Sequence, residues 1–364
     1  MIRGMPTFHA FAPGRVELLG NHTDYNSGVV LSAAIQMGIR AEGSPRGDST
    51  ITLSSEGIEG TAAADLAAGL KPRGTWDDYP LGVVEMLRRA GAPVGGFDAR
   101  FTADLPLGAG LSSSAALEVA TAVLATRMFP CDVSPLDLAK ICRRAENEFV
   151  GVSCGLLDQV SSIFGRRDHV VFLDCRAESV VQVPFPSALG LLIVHSGVKH
   201  ALTGGEYNER RDQCFEAARR MGVLALRDVT SDQLAAADLP PLVKHRAAHI
   251  TGENERVFEA LDALRAGDGD RFGKLMTASH RSSMENFANS TPELDALVEI
   301  AIRQPGCHGA RLTGGGFGGA IVALVDVEAS GRIAEAVVAE YLTGTGHRAT
   351  AYPCLVGDGA LAAA

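Results

Sequence analysis

The chain has 364 residues, of which 43 are Asp or Glu and 33 are Lys or Arg, for a formal net charge of -10. Hydrophobic residues make up 46% and charged residues 21%, an ordinary globular mix that excludes wholesale disorder and supplies a core without staples. The acidic balance argues against a general nucleic-acid binder, because phosphate backbones attract clustered Lys and Arg, and no long apolar run offers a membrane span.

Met1 to Val16 lacks the apolar core of a signal peptide, so a cytoplasmic location is expected. The first dense motif follows: Pro13-Gly-Arg-Val-Glu-Leu-Leu-Gly-Asn-His-Thr-Asp-Tyr-Asn26. It gathers Arg15, Glu17, Asn21, His22, Asp24 and Asn26 between apolar segments. Carboxylates accept from hydroxyls, and amides and imidazoles both accept and donate, so the stretch suits a polyhydroxylated ligand. A surface turn with Asx-type local bonds is the other reading. Runs rich in β-branched residues predict strands at Val29 to Ile39, Ser49 to Ser54 and Phe97 to Leu105. Tyr79 to Arg89 and Ser113 to Phe129 are predicted helices.

The second motif is Leu105-Pro-Leu-Gly-Ala-Gly-Leu-Ser-Ser-Ser-Ala-Ala-Leu117. A strand leads in, glycines turn the chain and a helix leads out. The first helical turn carries unpaired N–H groups and the positive end of the dipole, so the arrangement is a phosphate cradle. The hydroxyls of Ser112 to Ser114 can add donors or reach a metal. Neither the Walker A pattern nor G-x-G-x-x-G is present.

Ser134-Pro135 predicts a helix start, with Leu138, Ile141, Cys142, Ala145 and Phe149 on one apolar face. Glu146 lies at the edge of that face. It reads as a cation ligand or as the helix partner of Arg143, and the residues alone favour the helix pair. Asp158, in Gly155-Leu-Leu-Asp-Gln-Val160, has apolar neighbours and needs a partner, for which Arg15 is the cationic candidate. Further strands are predicted at Val170 to Leu173, Leu189 to His195 and Ala320 to Val325, and Thr291-Pro292 opens another helix.

The third motif, Gly309-Ala-Arg-Leu-Thr-Gly-Gly-Gly-Phe-Gly-Gly-Ala320, is costly in chain entropy. Close backbone approach to a ligand, or to the loop facing it, would justify it; a hairpin turn is the alternative. Gly359 to Ala364 reads as a frayed tail. The seven cysteines are widely spaced and read as reduced thiols rather than a zinc site or disulfide framework. Strands come in runs and then helices, without regular βαβ alternation, which predicts an α+β fold. The two prolines of Val183 to Gly190 mark a boundary between units 1–184 and 185–364, with the last strand free to return to the first unit.

Together the three motifs resemble those of the galactokinases, in the GHMP small-molecule kinase superfamily. The stretches "CGLLDQVSSIFG", "KHALTGGEYNERRDQC" and "SHRSSMENFANSTPELDALVEIA" extend the resemblance over nearly the whole chain. The resemblance implies two α+β domains, the first of ribosomal-protein-S5-like type, with the active site in the cleft between them. It implies a sugar 1-kinase using ATP and Mg²⁺, acting on small molecules as a monomer or weak homo-oligomer. By the same carry-over, Asp158 is catalytic with Arg15 as its partner, and Ser114 and Glu146 hold Mg²⁺. The triphosphate would be wrapped by Pro106, Gly108, Gly110, Leu111, Ser112, Ser113, Ser114 and Ala115, with Trp76 at the adenine. His22, Asp24, Gly155 and Tyr207 would contact the sugar, with Asn21 beside them.

Asn21 stands where galactokinases carry the glutamate that binds the sugar's C6 hydroxyl, and Glu17 stands where they usually carry Asn. A neutral amide tolerates a C6 hydroxyl and removes repulsion against a C6 carboxylate. A galacturonate or other sugar 1-kinase is therefore the alternative to a galactose 1-kinase. A non-catalytic sugar sensor is a further one, although Ser112-Ser-Ser-Ala-Ala116 is complete. A dinucleotide-dependent enzyme lacks its glycine fingerprint. Lys199 and His200 could meet phosphate or solvent.

Overall fold

The computed structural model describes residues 6–106, 110–198 and 205–362. Among them, strands β1 (Phe8–Leu19), β2 (Val29–Pro45), β3 (Thr50–Ser55), β4 (Ala62–Asp65), β5 (Phe97–Ala103), β6 (His169–Asp174) and β7 (Ser179–Pro184) form one sheet. Its order is β4-β3-β5-β2-β6-β7, with β1 paired to β2. Strand β2 is the spine. It pairs antiparallel with β1 along most of its length, with β6 at its start and with β5 at its end. The reason is in its residues: Val29, Val30, Leu31, Ala33, Ala34 and Ile35 are all fully buried. A strand covered on both faces reads as a continuous apolar run.

Helices α1 (Asp78–Arg89), α2 (Ser113–Met128), α3 (Pro135–Arg144) and α4 (Leu157–Phe164) belong to this half, and α2 packs on β1 and β2. The Ser134 side chain caps α3 by accepting the Asp137 N–H at 3.1 Å, as Ser-Pro predicts.

The chain leaves the first sheet at Pro184 and enters the second at Leu189. Helices α5 (Gly205–Met221), α6 (Ser231–Ala236), α7 (Pro241–Arg265), α8 (Gly269–Ser282), α9 (Pro292–Ile302) and α10 (Ser330–Thr345) accompany strands β8 (Leu189–His195), β9 (Cys307–Thr313), β10 (Ala320–Asp326) and β11 (Thr350–Cys354). The second sheet runs β11-β8-β10-β9, with every pair antiparallel. One hydrophobic cluster joins Val16 and Leu31 of the first sheet to Ile193 and Leu324 of the second. A second cluster fills the space between the second sheet, α9 and α10. The architecture is α+β, as expected. Among the described residues no helix is long and apolar enough to cross a membrane. All seven cysteines are free thiols.

Strand β1 has no counterpart among the predicted elements. Arg15 and Glu17 are 7% and 6% exposed, so its buried residues are not all apolar and the alternation is broken. Register shifts flank both residues, between Pro13 and Arg15 and between Glu17 and Leu19. Such bulges re-aim side chains next to functional sites.

The C-terminal tail corrects another expectation. Strand β11 stays in the second sheet, and the residues after it cross to the first: Gly357 N–H bonds Ala34 O at 2.9 Å, and Gly359 N–H bonds Gly165 O at 2.8 Å. Ala360 is fully buried, with its N–H on Ser162 O at 2.9 Å. A glycine-alanine composition suggested fraying, but here small residues allow backbone to lie on backbone.

The contact of α8 with β9 is of the same kind, through Gly273 and Gly309. A Cβ on Gly273 would collide with the His308 carbonyl. In an exposed helix, Gly to Ala gains about 1 kcal/mol. At this position overpacking reverses the sign, with a cost of about 1–3 kcal/mol. Urea unfolding of Gly273→Ala is expected to show a lower midpoint than the parent; a higher one would contradict the close contact.

Candidate active site

Six segments converge on one cavity of about 180 Å³. Strand β1 supplies Arg15 and Glu17. The loop after it supplies Asn21, His22 and Asp24, and the segment before α4 supplies Ser153, Cys154 and Gly155. The first turn of α4 brings Leu157 and Asp158, α5 brings Tyr207, and the turn between β9 and β10 brings Gly314 and Gly315.

The Arg15–Asp158 pair stands at the wall of this cavity. Arg15 Nε donates to Asp158 Oδ1 and Nη2 to Oδ2, both at 2.7 Å, a bidentate fork. The third nitrogen, Nη1, donates to Gly110 O at 2.9 Å, and the Arg15 N–H bonds Leu111 O at 3.1 Å. Ser112 Oγ donates to Asp158 Oδ2 at 2.6 Å. The glycine-rich loop is thus tied to the carboxylate from two sides. Ser112 is the residue before α2, yet its hydroxyl does not cap the helix. It holds a left-handed backbone, φ 57°, unusual for a residue with a side chain.

Of the residues expected to wrap a triphosphate, Leu111 and Ala115 are buried in the core, so only their backbone can serve a ligand. Pro106, Ser113 and Ser114 are half-buried and Gly110 is exposed. Gly108 lies outside the described residues, as do Lys199 and His200. Trp76 sits in the loop before α1, half-buried, with its ring edge-to-face on Phe101 at 6.1 Å.

Glu146 corrects the helix-pair reading. After α3 the chain widens into a π-helical turn, Ala145–Val150, a feature frequent at functional sites. The turn directs the Glu146 carboxylate inward. It accepts from Gln159 Nε2 at 3.0 Å and from Cys154 Sγ at 3.1 Å, and it hydrogen-bonds the Ser114 hydroxyl. Arg143 is not in this network. Burial pushes the Glu146 carboxyl above its ordinary range. Gln159 Nε2 also donates to Glu118 Oε2 at 3.0 Å, and Glu118 Oε1 is buried without a partner. Ser114 and Glu146 are therefore adjacent hard-oxygen groups, the donor type that Mg²⁺ takes alongside phosphates and waters. Among the described residues no trio of His, Cys, Asp or Glu makes an all-protein metal cage.

On the far side of the cavity Glu17 accepts from Arg311 Nη1 at 3.0 Å and from Asn21 Nδ2 at 2.9 Å. Asn21 Nδ2 also donates to Gly314 O at 2.8 Å, and Asn21 Oδ1 accepts from Asn289 Nδ2 at 2.9 Å. Both N–H donors of the Asn21 amide are therefore taken. Burial raises the Glu17 pKa, with Arg311 and Arg15 opposing it.

His22 Nε2 lies 3.0 Å from Gly315 O and Nδ1 lies 2.8 Å from Tyr25 Oη. Burial lowers its pKa to about 4, so the ring is neutral near pH 7. A carbonyl only accepts, so Nε2 carries the proton and Nδ1 accepts from the tyrosine. The Tyr207 ring packs on His22 with centroids 5.0 Å apart. Asp24 has its pKa raised to about 6, first by burial, then by the charges of Glu17 and Asp158. Gly155 is required beside it, because a Cβ there would collide with Asp24 Oδ2.

The structure thus brings Arg15, Asn21, His22, Asp24, Gly155, Asp158 and Tyr207 to one cavity, with Ser112 bonded to Asp158. Sequence reasoning assigned no role to Asn289, Glu118 or Gln159. The glycine motif did signal a close backbone approach, and Gly314 and Gly315 make it.

Comparison with known proteins places this geometry. The family model of the GHMP kinases N terminal domain matches residues 78–166, and that of the GHMP kinases C terminal matches residues 260–343. The galactokinase galactose-binding signature matches residues 3–45. A galactokinase of Glaesserella parasuis serovar 5 (strain SH0165) is 41% identical over 357 residues, 96% of this chain and 93% of that one. A galactokinase of Roseiflexus sp. (strain RS-1) is 39% identical over 355 residues, 96% and 91% of the two chains. The crystal structure of Lactococcus lactis galactokinase complexed with galactose superposes with a TM-score of 0.92 at 33% identity, covering 97% of this chain and 94% of that one. Methanococcus jannaschii mevalonate kinase shares the fold alone, with a TM-score of 0.71 at 19% identity over 98% and 100% of the two chains. Motifs, site geometry and relatives agree: the chain belongs to the galactokinase family of the GHMP kinases.

Proposed function

We propose that this chain transfers the γ-phosphoryl of ATP to the anomeric hydroxyl of D-galactose, giving galactose 1-phosphate and ADP. The observation that carries the reading is the Arg15–Asp158–Ser112 constellation, which joins the glycine-rich loop to the wall of a polar cavity. The galactokinase relatives and the galactose-bound Lactococcus structure support the same substrate.

Phosphoryl transfer needs positioning and charge stabilisation more than covalent help. The N-terminus of α2 and the loop before it would face the phosphates. A carboxylate has about four acceptor sites. Arg15 and Ser112 fill one on Oδ1 and two on Oδ2 of Asp158. The acceptor capacity that remains would receive the O1 hydroxyl and align it with the phosphorus. Arg15 has all its described bonds directed at Asp158 and Gly110, so it fixes the carboxylate rather than reaching for substrate. Ser114 and Glu146 would hold Mg²⁺, which when bound neutralises charge on the phosphate oxygens.

The cavity favours a neutral sugar over a uronate. Glu17, Asp24 and Asp158 line it, and among the described residues Arg15 is the lining cation. Asn21 has no free N–H to offer a C6 carboxylate, because Glu17 and Gly314 take both. A galacturonate would meet the like charge of these carboxylates.

ADP release with MgATP is the direct test, with D-galactose, D-galacturonate, N-acetylgalactosamine and L-arabinose supplied separately. D-galactose is expected to exceed D-galacturonate by about a hundredfold in kcat/KM. Preferred turnover of the uronate would overturn the substrate, and ATP turnover with no sugar in the panel would overturn the class.

Asp158→Asn is expected to lower kcat by about 10²–10⁴-fold while galactose affinity changes little. Near-normal turnover in the folded variant would remove Asp158 from the mechanism.

Asp24 gives a pH signature. Its free-enzyme pKa of about 6 means that protonation replaces an acceptor with a neutral acid. Galactose kcat/KM is expected to fall about tenfold per pH unit below that value. A folded pKa above the unfolded one means that the ionised form destabilises the fold as pH rises through the interval. Asp24→Asn should therefore lose sugar turnover yet melt about 1–3 °C higher at pH 8. A lower melting temperature would contradict the burial penalty.

A further inference from the structure

The loop 20–29 presents Asn21, His22 and Asp24 to the cavity, and something must hold it in shape. Apart from a 3₁₀ turn at Asp24–Asn26 its backbone is irregular: His22 and Ser27 take left-handed φ values of 61° and 55°. Non-glycine residues keep such conformations only where their surroundings fix them.

Two neighbouring side chains of α7 meet the two ends of this loop. At the start, Glu253 Oε2 accepts the N–H groups of both Gly20 and Asn21 at 2.9 Å. At the end, Asn254 Oδ1 accepts the Val29 N–H at 3.0 Å. Each side chain is itself held. Arg256 Nε pairs with Glu253 Oε1 at 2.7 Å, and Asn254 Nδ2 donates to Ile250 O at 3.0 Å. Glu253 is fully buried, and neither residue lines the cavity.

The fit is close. Gly20 has φ 95°, and a Cβ there would lie 2.5 Å from Val29 O. A Cβ on Gly28 would lie 2.5 Å from Asn254 Oδ1. Thr23 Oγ1, inside the loop, is 2.7 Å from both Gly20 O and Val29 O, so the ends close on one hydroxyl.

We propose that Glu253 and Asn254 are positioning residues that set galactose affinity by clamping both ends of the loop 20–29, an inference that rests on the sugar-kinase reading above. Burying a carboxylate is a poor way to gain stability, since apolar packing of similar volume often does as well. A single carboxylate oxygen can take two N–H groups at once, and the loop's own acceptors point elsewhere. Asn21 Oδ1 is bonded to Asn289, and Asp24 faces the cavity. The acceptor must therefore come from another element, and α7 supplies it.

The test uses the full chain with Glu253→Gln and Asn254→Ala. Glu253→Gln keeps the shape and sets an amide against two N–H donors. Asn254→Ala releases the other end without touching a charge, and it carries the test alone if Glu253→Gln does not fold. Each is expected to raise the galactose KM, and the Kd from calorimetry without nucleotide, by about tenfold or more. The ATP KM, and kcat at saturating galactose, should stay within about threefold. Amide exchange without any ligand should show lost protection at Gly20 and Asn21 in the first variant and at Val29 in the second. Parent-like galactose affinity in the folded variants would overturn the proposal. Equal losses for galactose and ATP would also overturn it, since they mark a merely structural role. If the parent itself fails to bind galactose, the sugar-kinase reading fails. The exchange measurement then still judges the clamp, and unchanged protection would overturn it.

Discussion

The molecule depends on placing a guanidinium and a carboxylate face to face at the junction of β1, α4 and the glycine-rich loop. The Arg15–Asp158 fork, with both contacts at 2.7 Å, joins segments 143 residues apart in sequence. Partly buried ion pairs lose much of their attraction to desolvation, so the fork is weak evidence for stability. It is strong evidence for orientation. Around it the β1 register slips twice, Ser112 adopts a left-handed backbone, and Gly110 turns its carbonyl toward Arg15. Each is a local concession that fixes the orientation of the carboxylate.

The same cleft shows how partners, rather than burial alone, set the charge of a carboxyl group. Glu253 and Asp24 both lie in low-dielectric surroundings that oppose ionisation. For Glu253 burial is outweighed by Arg256, His249, Arg311 and the Asn21 N–H, which hold it well below the usual carboxylate range. Asp24 has no cation in contact among the described residues, and burial together with Glu17 and Asp158 raises it to about 6. The partners of Glu253 thus favour its ionised form, whereas the surroundings of Asp24 disfavour it. Stability is given up at the ligand-facing position, as is usual for binding groups.

Much of this was legible in the amino-acid sequence, and the exceptions have physical causes. Strands β2, β8 and β10 are runs of buried β-branched and aliphatic residues, and α3 and α9 begin at Ser-Pro and Thr-Pro with the expected caps. The motif residues converge because the fold brings their elements together, and Arg15 meets Asp158 as charge complementarity suggested. Strand β1 was hidden because its buried residues include charges. Glu146 was misjudged because helical spacing says nothing of a π-helical turn. Glu253 and Asn254 carried no local signal, since a polar pair in a long helix looks like a solvated face until its burial is known.

Glu17 and Asn21, which stand out in the first motif, act as one unit in physical terms. Arg311 is fully buried and has Glu17 as its carboxylate, at 3.0 Å. A charge at that depth cannot be left without a counterion. Glu17 and Asn21 are themselves hydrogen-bonded at 2.9 Å, so a carboxylate at either position lies beside the same amide. The two side chains therefore share one carboxylate, and it lies on the Arg311 side of the pair. The amide at position 21 is saturated by Glu17, Gly314 and Asn289. Asn21 therefore offers no free donor. It is part of the wall, with its donors and its acceptor all committed to protein partners.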